Sequence, residues 1–399
     1  MKTALLATSI LSLSASGALG AYQLAKEYSG QSFFDDWEFY GAPDLTTDGD
    51  VNWVTEANAT AEHLAYVNGA GHAIIKVDNS TDVPYPDKRD TVRITTEDTF
   101  PLGSVFIIDA YHLPYGCSVW PSFWTKGPNW PDGGEIDIIE TINLMKTNQY
   151  ALHTGGTDCL ASSSAKQTGQ LGNTNCSSPT GGQAGCTVTE SSDSSVGLAF
   201  AAAGGGVYAT QFDTSGINIW FWNRADIPSD ISSGANSVDP STWGEPSAAY
   251  PSSSCNISEY FVPQQLVLDI TLCGNWAGDP TIYASTCPVN GTPNANTCYY
   301  NNVINTNGSN YDTAYFEVSY VKAFTTNGSV AATNVTNSST TSTSASGSAS
   351  GSAASSTNTA SAGSGGAAGN TSGAVSAFWH KAEVYVGAAV LTLAAWTMM

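Results

Sequence analysis

The chain has 399 residues and a mass of 41.5 kDa, enough for one large domain or two ordinary ones with a full hydrophobic core. Lys and Arg number 12 against 34 Asp and Glu, a net charge of −22 that repels phosphate backbones and anionic lipid and so excludes a nucleic-acid partner. Charged residues are only 12% of the chain while aromatics reach 11%, too little charge for a bundle of amphipathic helices and suited to a secreted β-protein handling a neutral ligand.

In chain order, residues 1–20 read as a secretory signal peptide. Lys2 supplies the positive start, 4–13 the apolar run, and Ala18-Leu19-Gly20 the small-residue cleavage site. From 21 to 326 short β-branched or alternating runs recur with turn residues between them, at 91–95, 104–110, 135–139, 217–222, 266–272 and 315–324. None carries a sustained helical period and no βαβ rhythm appears, so this region is expected to be one all-β domain, two antiparallel sheets packed as a β-sandwich. The stretch 161–206, rich in Ser, Gly, Ala and Asn, is expected to be a loop region stapled by Cys159, Cys176 and Cys186.

All eight cysteines fall between 117 and 298, an even number that in an oxidising compartment predicts disulfides, with the pairing left open. There is no Cys-x-x-Cys pair or histidine cluster, which argues against zinc and predicts no metal. Sequons begin at Asn58, Asn79, Asn175, Asn256, Asn290, Asn307 and Asn327, as expected of a secreted surface. Residues 327–370 carry no charge and no aromatic and read as a disordered Ser/Thr-rich stalk. Small residues at 370–372, a spacer holding Lys381 and Glu383, and the apolar run 384–399 match a glycosylphosphatidylinositol-anchor signal, with Asn370 as the attachment residue and 371–399 as the propeptide.

The most informative segment is Trp130-Pro131-Asp132-Gly133-Gly134-Glu135-Ile136-Asp137-Ile138-Ile139-Glu140. In a regular strand Glu135 and Asp137 share a face and Glu140 points to the other. One extra residue, a β-bulge around Ile138-Ile139, brings all three acids to one side and sends the isoleucines inward. Carboxylates so crowded must raise at least one pKa, and split pKa values are what acid–base cleavage of a glycosidic bond requires. A solvated strand edge or a calcium site are the plainer alternatives. The β-branched residues between the acids and the aromatics on their flanks weigh against both.

The segment 134–140 resembles the signature of glycoside hydrolase family 16 in its bulged E-x-D-x-x-E form, more narrowly that of the fungal laminarinase-like endo-β-1,3(4)-glucanases. The likeness extends to Gly116-Cys117, Trp120-Pro121 and Trp124, to Leu152-His153-Thr154-Gly155, and to Leu272-Cys273-Gly274-Asn275-Trp276-Ala277-Gly278. It implies a jelly-roll sandwich with a concave substrate cleft, Glu135 as nucleophile, Asp137 as its helper and Glu140 as acid/base of a retaining mechanism. It further implies that Trp124, Trp130 and Trp276 face the sugar, joined by Trp120, that His153 lies beside the acids, and that Arg93 and Asn52 line the glycone side. No cofactor is implied. The expected partner is a neutral β-glucan met by a monomer, secreted and held at the outer face of the cell membrane or in the wall through its anchor. Two rivals remain: a transglycosylase, although anchored wall remodellers of the family resemble the unbulged E-x-D-x-E form, and a glucan-binding sandwich without catalysis, which has no need of two acids in one row.

Overall fold

The computed structural model describes residues 21–179, 183–304 and 308–330. The expected signal peptide, all of the stalk past residue 330, Asn370 and the propeptide lie outside these residues, as does Asn307. Within them, each apolar run named above becomes a strand, because β-branched and aromatic side chains pack well on a pleated surface with one face buried.

One sheet runs in the order Ser237–Val238, Tyr22–Ser29, Tyr315–Thr325, Ser104–His112, Gly206–Asp213, Gly216–Asn223 and Ala248–Pro251, with Ala73–Lys76 paired to Tyr315–Thr325 and Ala65–Val67 paired in turn to Ala73–Lys76. The second runs Gln170–Leu171, Cys186–Thr189, Gln149–His153, Glu135–Glu140, Val119–Lys126, Gln265–Leu272, Arg93–Thr96 and Trp37–Phe39. Every pairing within both sheets is antiparallel. Three strands in the middle of the second sheet follow one another in the chain, but Val119–Lys126 also pairs with Gln265–Leu272, which pairs in turn with Arg93–Thr96, so the chain crosses between the layers, as in a jelly-roll sandwich. The inward residues of both sheets, among them Ile94, Phe123, Ile136, Leu152 and Leu268 from one and Phe106, Ile108, Tyr208 and Ile219 from the other, form a single core.

Two sequence expectations change in detail. The run 91–95 is two strands, Arg89–Thr91 and Arg93–Thr96, since the first leaves the sandwich to pair in parallel with Val51–Trp53. The stretch 161–206 is more than loop: Gln170–Leu171 and Cys186–Thr189 extend the second sheet, and Gly197–Ala202 is helical. The disulfides pair Cys117 with Cys287, Cys159 with Cys255, Cys176 with Cys186, and Cys273 with Cys298. Three of the four fasten the loops around the second sheet to distant parts of the chain. Among the described residues no helix is long and apolar enough to cross a membrane.

Phe123 lies fully buried beneath the second sheet, in register with Ile139 on one side and Leu268 on the other. Replacing it with Ala removes a large ring from a closed core, so Phe123→Ala should lose about 3–5 kcal/mol of stability in a denaturant titration.

Candidate active site

The strand Glu135–Glu140 sits in the middle of the second sheet and slips register once. Against Val119–Lys126, Glu135 faces Lys126 and Asp137 faces Trp124, but then Ile139 faces Phe123 and Glu140 faces Ser122. Ile138 is therefore the extra residue. Trp124 and Ser122 lie two apart on one strand and share its outer face, which returns Glu140 to the side of Glu135 and Asp137. Ile136, Ile138 and Ile139 are buried.

A bulge frees backbone groups that must find partners elsewhere. The buried Asn148 supplies both: its amide nitrogen donates to the Ile138 carbonyl at 2.8 Å, and its amide oxygen accepts from the Glu140 N–H at 2.9 Å. Its own N–H donates to Ser195 Oγ at 3.0 Å. Nothing in the motif pointed to Asn148, which stands in the polar run Lys146-Thr147-Asn148-Gln149.

Around the acids the expected residues mostly assemble. Trp120 Nε1 donates to Glu140 Oε1 at 2.9 Å, and Trp276 packs edge-on against Trp120 with ring centres 5.3 Å apart. Trp130 Nε1 donates to Glu135 Oε2 while its ring remains 44% exposed, leaving an aromatic face open beside the carboxylate. His153 is the cross-strand neighbour of Glu135, with Nε2 at 3.2 Å from Asp137 Oδ2 and 3.8 Å from Glu135 Oε1. Its Nδ1 is hydrogen-bonded to Ser178 Oγ at 2.8 Å, which fixes the ring.

Trp124 and Arg93 belong to a second polar cluster on the same face, centred on Asp269. Trp124 Nε1 donates to Asp269 Oδ2 at 3.1 Å, and Arg93 Nε lies 3.9 Å from that oxygen. The Arg93 guanidinium sits over the rings of Tyr40, Trp53 and Trp124 at 4.7, 4.9 and 5.2 Å. Asp269, Tyr40 and Trp53 were missed from sequence. Asp269 did leave a signal, a lone acid in the apolar strand Gln265–Leu272. Asn52 is not drawn into either cluster: it sits on the parallel ribbon, its amide donating to Asp90 at 3.0 Å and to the Lys88 carbonyl at 3.4 Å.

Burial and the neighbouring Asp137 charge push Glu135 up to about 8, opposed by His153 and the Trp130 N–H. Burial and Asp137 also drive Glu140 well above the usual carboxylate range, opposed mainly by the Trp120 N–H. Burial works against a charge on His153, but Glu135 and Asp137 outweigh it and raise its pKa to about 9. Glu135 thus has the His153 ring beside it at 3.8 Å while Glu140 is held by the Trp120 N–H, so the two glutamates sit in unlike surroundings. Burial lifts Asp269 to about 6 against the pull of Arg93 and Trp124. Oxygen and nitrogen atoms of Glu135, Asp137 and His153 lie within 4.8 Å of one another, a spacing that could grip a metal ion.

A sandwich that presents two glutamates about an aspartate, in unlike environments and among open indole rings, has the parts of a two-carboxylate glycosidase. Comparison with known proteins agrees. Residues 37–324 match the family model described as the XgeA-like catalytic domain of glycoside hydrolase family 16. A probable glycosidase of Schizosaccharomyces pombe is 38% identical over 74% of this chain and 68% of its own length. A probable endo-1,3(4)-β-glucanase of Neosartorya fischeri is 37% identical over 84% of this chain but only 51% of its own, so the chain spans about half of that relative. Laminarinase 16A of Phanerochaete chrysosporium, solved with β-glucans in donor and acceptor sites, superimposes with a TM-score of 0.70 at 34% identity, covering 76% of this chain and 99% of that one. A family 16 elongating β-1,3-glucosyltransferase also superimposes at 0.70, with 36% identity over 76% of this chain and all of the other. The chain belongs to glycoside hydrolase family 16.

Asn148→Ala strips two buried backbone groups of their partner and loosens the turn that aims Glu140. Turnover should fall on the order of 100-fold with KM little changed, since misplacement of a reacting group costs rate more than binding. Steady-state kinetics beside a melting curve check this, and unchanged turnover would separate the clamp from catalysis.

Proposed function

We propose that this chain hydrolyses internal β-1,3 or mixed β-1,3/1,4 linkages of neutral glucans with retention of configuration. Glu135 is the nucleophile, Glu140 the acid/base and Asp137 the helper between them. The observation that carries this reading is the bulge at Ile138, which sets Glu140 on the face of Glu135 while leaving the two in unequal surroundings. The names of the relatives, endo-1,3(4)-β-glucanases among them, support the substrate class.

In the first step the Glu135 carboxylate forms a bond to the anomeric carbon and the glycosidic oxygen departs with the Glu140 proton. The anionic Glu140 then takes a proton from water, and the oxygen of that water attacks the anomeric carbon on the face the glycosidic oxygen left, displacing Glu135 and retaining the configuration. Protonated His153 and the Trp130 N–H stabilise the anionic Glu135 before attack and after release, against the repulsion of the neighbouring Asp137. Indole faces at Trp130, Trp124, Trp276 and Trp120 match the flat C–H faces of a neutral sugar chain, which offers no charge to hold.

The signal peptide, the anchored stalk and a location at the outer membrane face or in the wall belong to the same proposal, as does a monomeric state. The sequence signals at the two ends support the first three. A second reading is transfer of the glycosyl unit to another sugar, favoured by the likeness to the elongating glucosyltransferase. Products from laminarin separate the two: shorter chains mean hydrolysis, longer ones transfer.

Glu135→Gln and Glu140→Gln should each lower turnover by more than about 1,000-fold with the melting temperature held or raised, because each removes a carboxylate that burial disfavours. Near-parental turnover by either variant would overturn the assignment. The pH profile offers a second check. Trp130→Phe takes a donor from ionised Glu135, so its pKa rises and the acidic limb of kcat/KM moves to higher pH. Trp120→Phe does the same for Glu140 and moves the alkaline limb upward instead, each by roughly one unit or less.

A further inference from the structure

A cavity of about 380 Å³ lies outside the acid cluster, within the roughly 300–1,000 Å³ range of ligand pockets. Its walls include Tyr85, Tyr299, Tyr300, Asp50, Asn275 and Asn296. The three tyrosine rings form one cluster, with centres 6.2 Å apart for Tyr85 and Tyr299, 6.0 Å for Tyr85 and Tyr300, and 5.6 Å for Tyr299 and Tyr300. Tyr85 is 66% and Tyr300 50% exposed, which is uncommon for large rings unless they meet something.

The polar groups here divide into spent and unspent. Tyr299 donates its hydroxyl to the Asp87 carbonyl at 2.8 Å, and Lys88 donates to the Gly49 carbonyl at 2.6 Å, so both are fixed by the protein. Among the described residues, the hydroxyls of Tyr85 and Tyr300 and the side-chain amides of Asn275 and Asn296 take no hydrogen bond from the protein. Open aromatic faces with unspent hydroxyls and amides at one concavity suit a neutral, hydroxyl-rich chain of rings.

The cavity is also joined to the catalytic face through a short, braced path. Cys273 and Gly274 form part of its wall, and the Cys273–Cys298 disulfide ties that wall to the segment carrying Asn296, Tyr299 and Tyr300. Trp276, two residues past Gly274, packs on Trp120, the donor to Glu140. We infer that this cavity is an additional binding site for the glucan chain, gripping sugar units beyond those held at the acids. It rests on the proposed glucanase activity and adds to it a preference for long chains over short ones.

The test is the double variant Tyr85→Ala/Tyr300→Ala, whose exposed rings can be removed without opening the core. Kinetics are measured on laminarin polymer and on a short laminari-oligosaccharide. Polymer affinity is measured separately by affinity electrophoresis in laminarin gels, using each form with Glu135→Gln added. The expected result is a KM about fivefold higher on polymer and matching retardation loss in the gel, with kinetics on the oligosaccharide unchanged. Equal KM and equal retardation on polymer would overturn the inference, as would a parallel loss on both substrates, which would mean damage to the cleft itself. Failure of the parent enzyme to cleave either substrate would instead remove the proposed activity, so the two failures are distinguishable.

Discussion

One inserted residue governs this molecule. Without Ile138 as an extra step, the alternation of the strand would drive Glu140 into the layer occupied by Ile136, Phe123 and Phe106, where an unpaired carboxyl is costly. With it, the same six residues satisfy two demands: three isoleucines face a dry core and three acids face a groove. The bulge persists because Asn148 answers both freed backbone groups, and Asn148 is in turn held by Ser195 at the far end of a long connection. A geometry of this kind thus depends on a buried amide just ahead of the next strand and not on the motif alone.

That division explains what could be read in advance. The bulge was legible in the spacing of Glu135, Asp137 and Glu140, since period-two alternation leaves no other way to gather them on one face. His153 was legible as part of the following strand, and its register opposite Glu135 follows from the hairpin. Asn148 was not, because a polar residue in a polar run reveals nothing until its neighbours in space are known. The same holds for the company Arg93 keeps on the face of the acids, with Tyr40, Trp53 and Trp124 near Asp269, and for the partners of Asn52, whose amide donates to Asp90 and the Lys88 carbonyl. The disulfide pairing was closed to sequence for a related reason: it joins loops that only the crossing of the chain between the sheets brings together.

The strongly acidic chain has few cations to spare, and the site is built accordingly. It steadies its carboxylates with one histidine and with indole N–H groups rather than with a ring of Lys and Arg. Trp120 and Trp130 each donate to a carboxylate, Trp120 from a buried position against Trp276 and Trp130 with much of its ring left exposed. A lysine in the same position would bind the carboxylate more strongly, lower its pKa and cost the proton that one of the pair must keep. An indole donor is weak enough to leave the glutamates high and firm enough to fix their rotamers.

Unequal surroundings for the two glutamates then follow from position along the strand. His153 pairs across the hairpin with Glu135 and not with Glu140, because the register that sets Glu135 opposite His153 ends at Asp137, before the bulge. The irregularity that turns Glu140 into the groove brings it onto the face of His153, but at longer range than Glu135 and Asp137. Geometry and electrostatics meet here: the slipped residue gathers the acids, and the hairpin register gives Glu135 the nearer place beside the histidine.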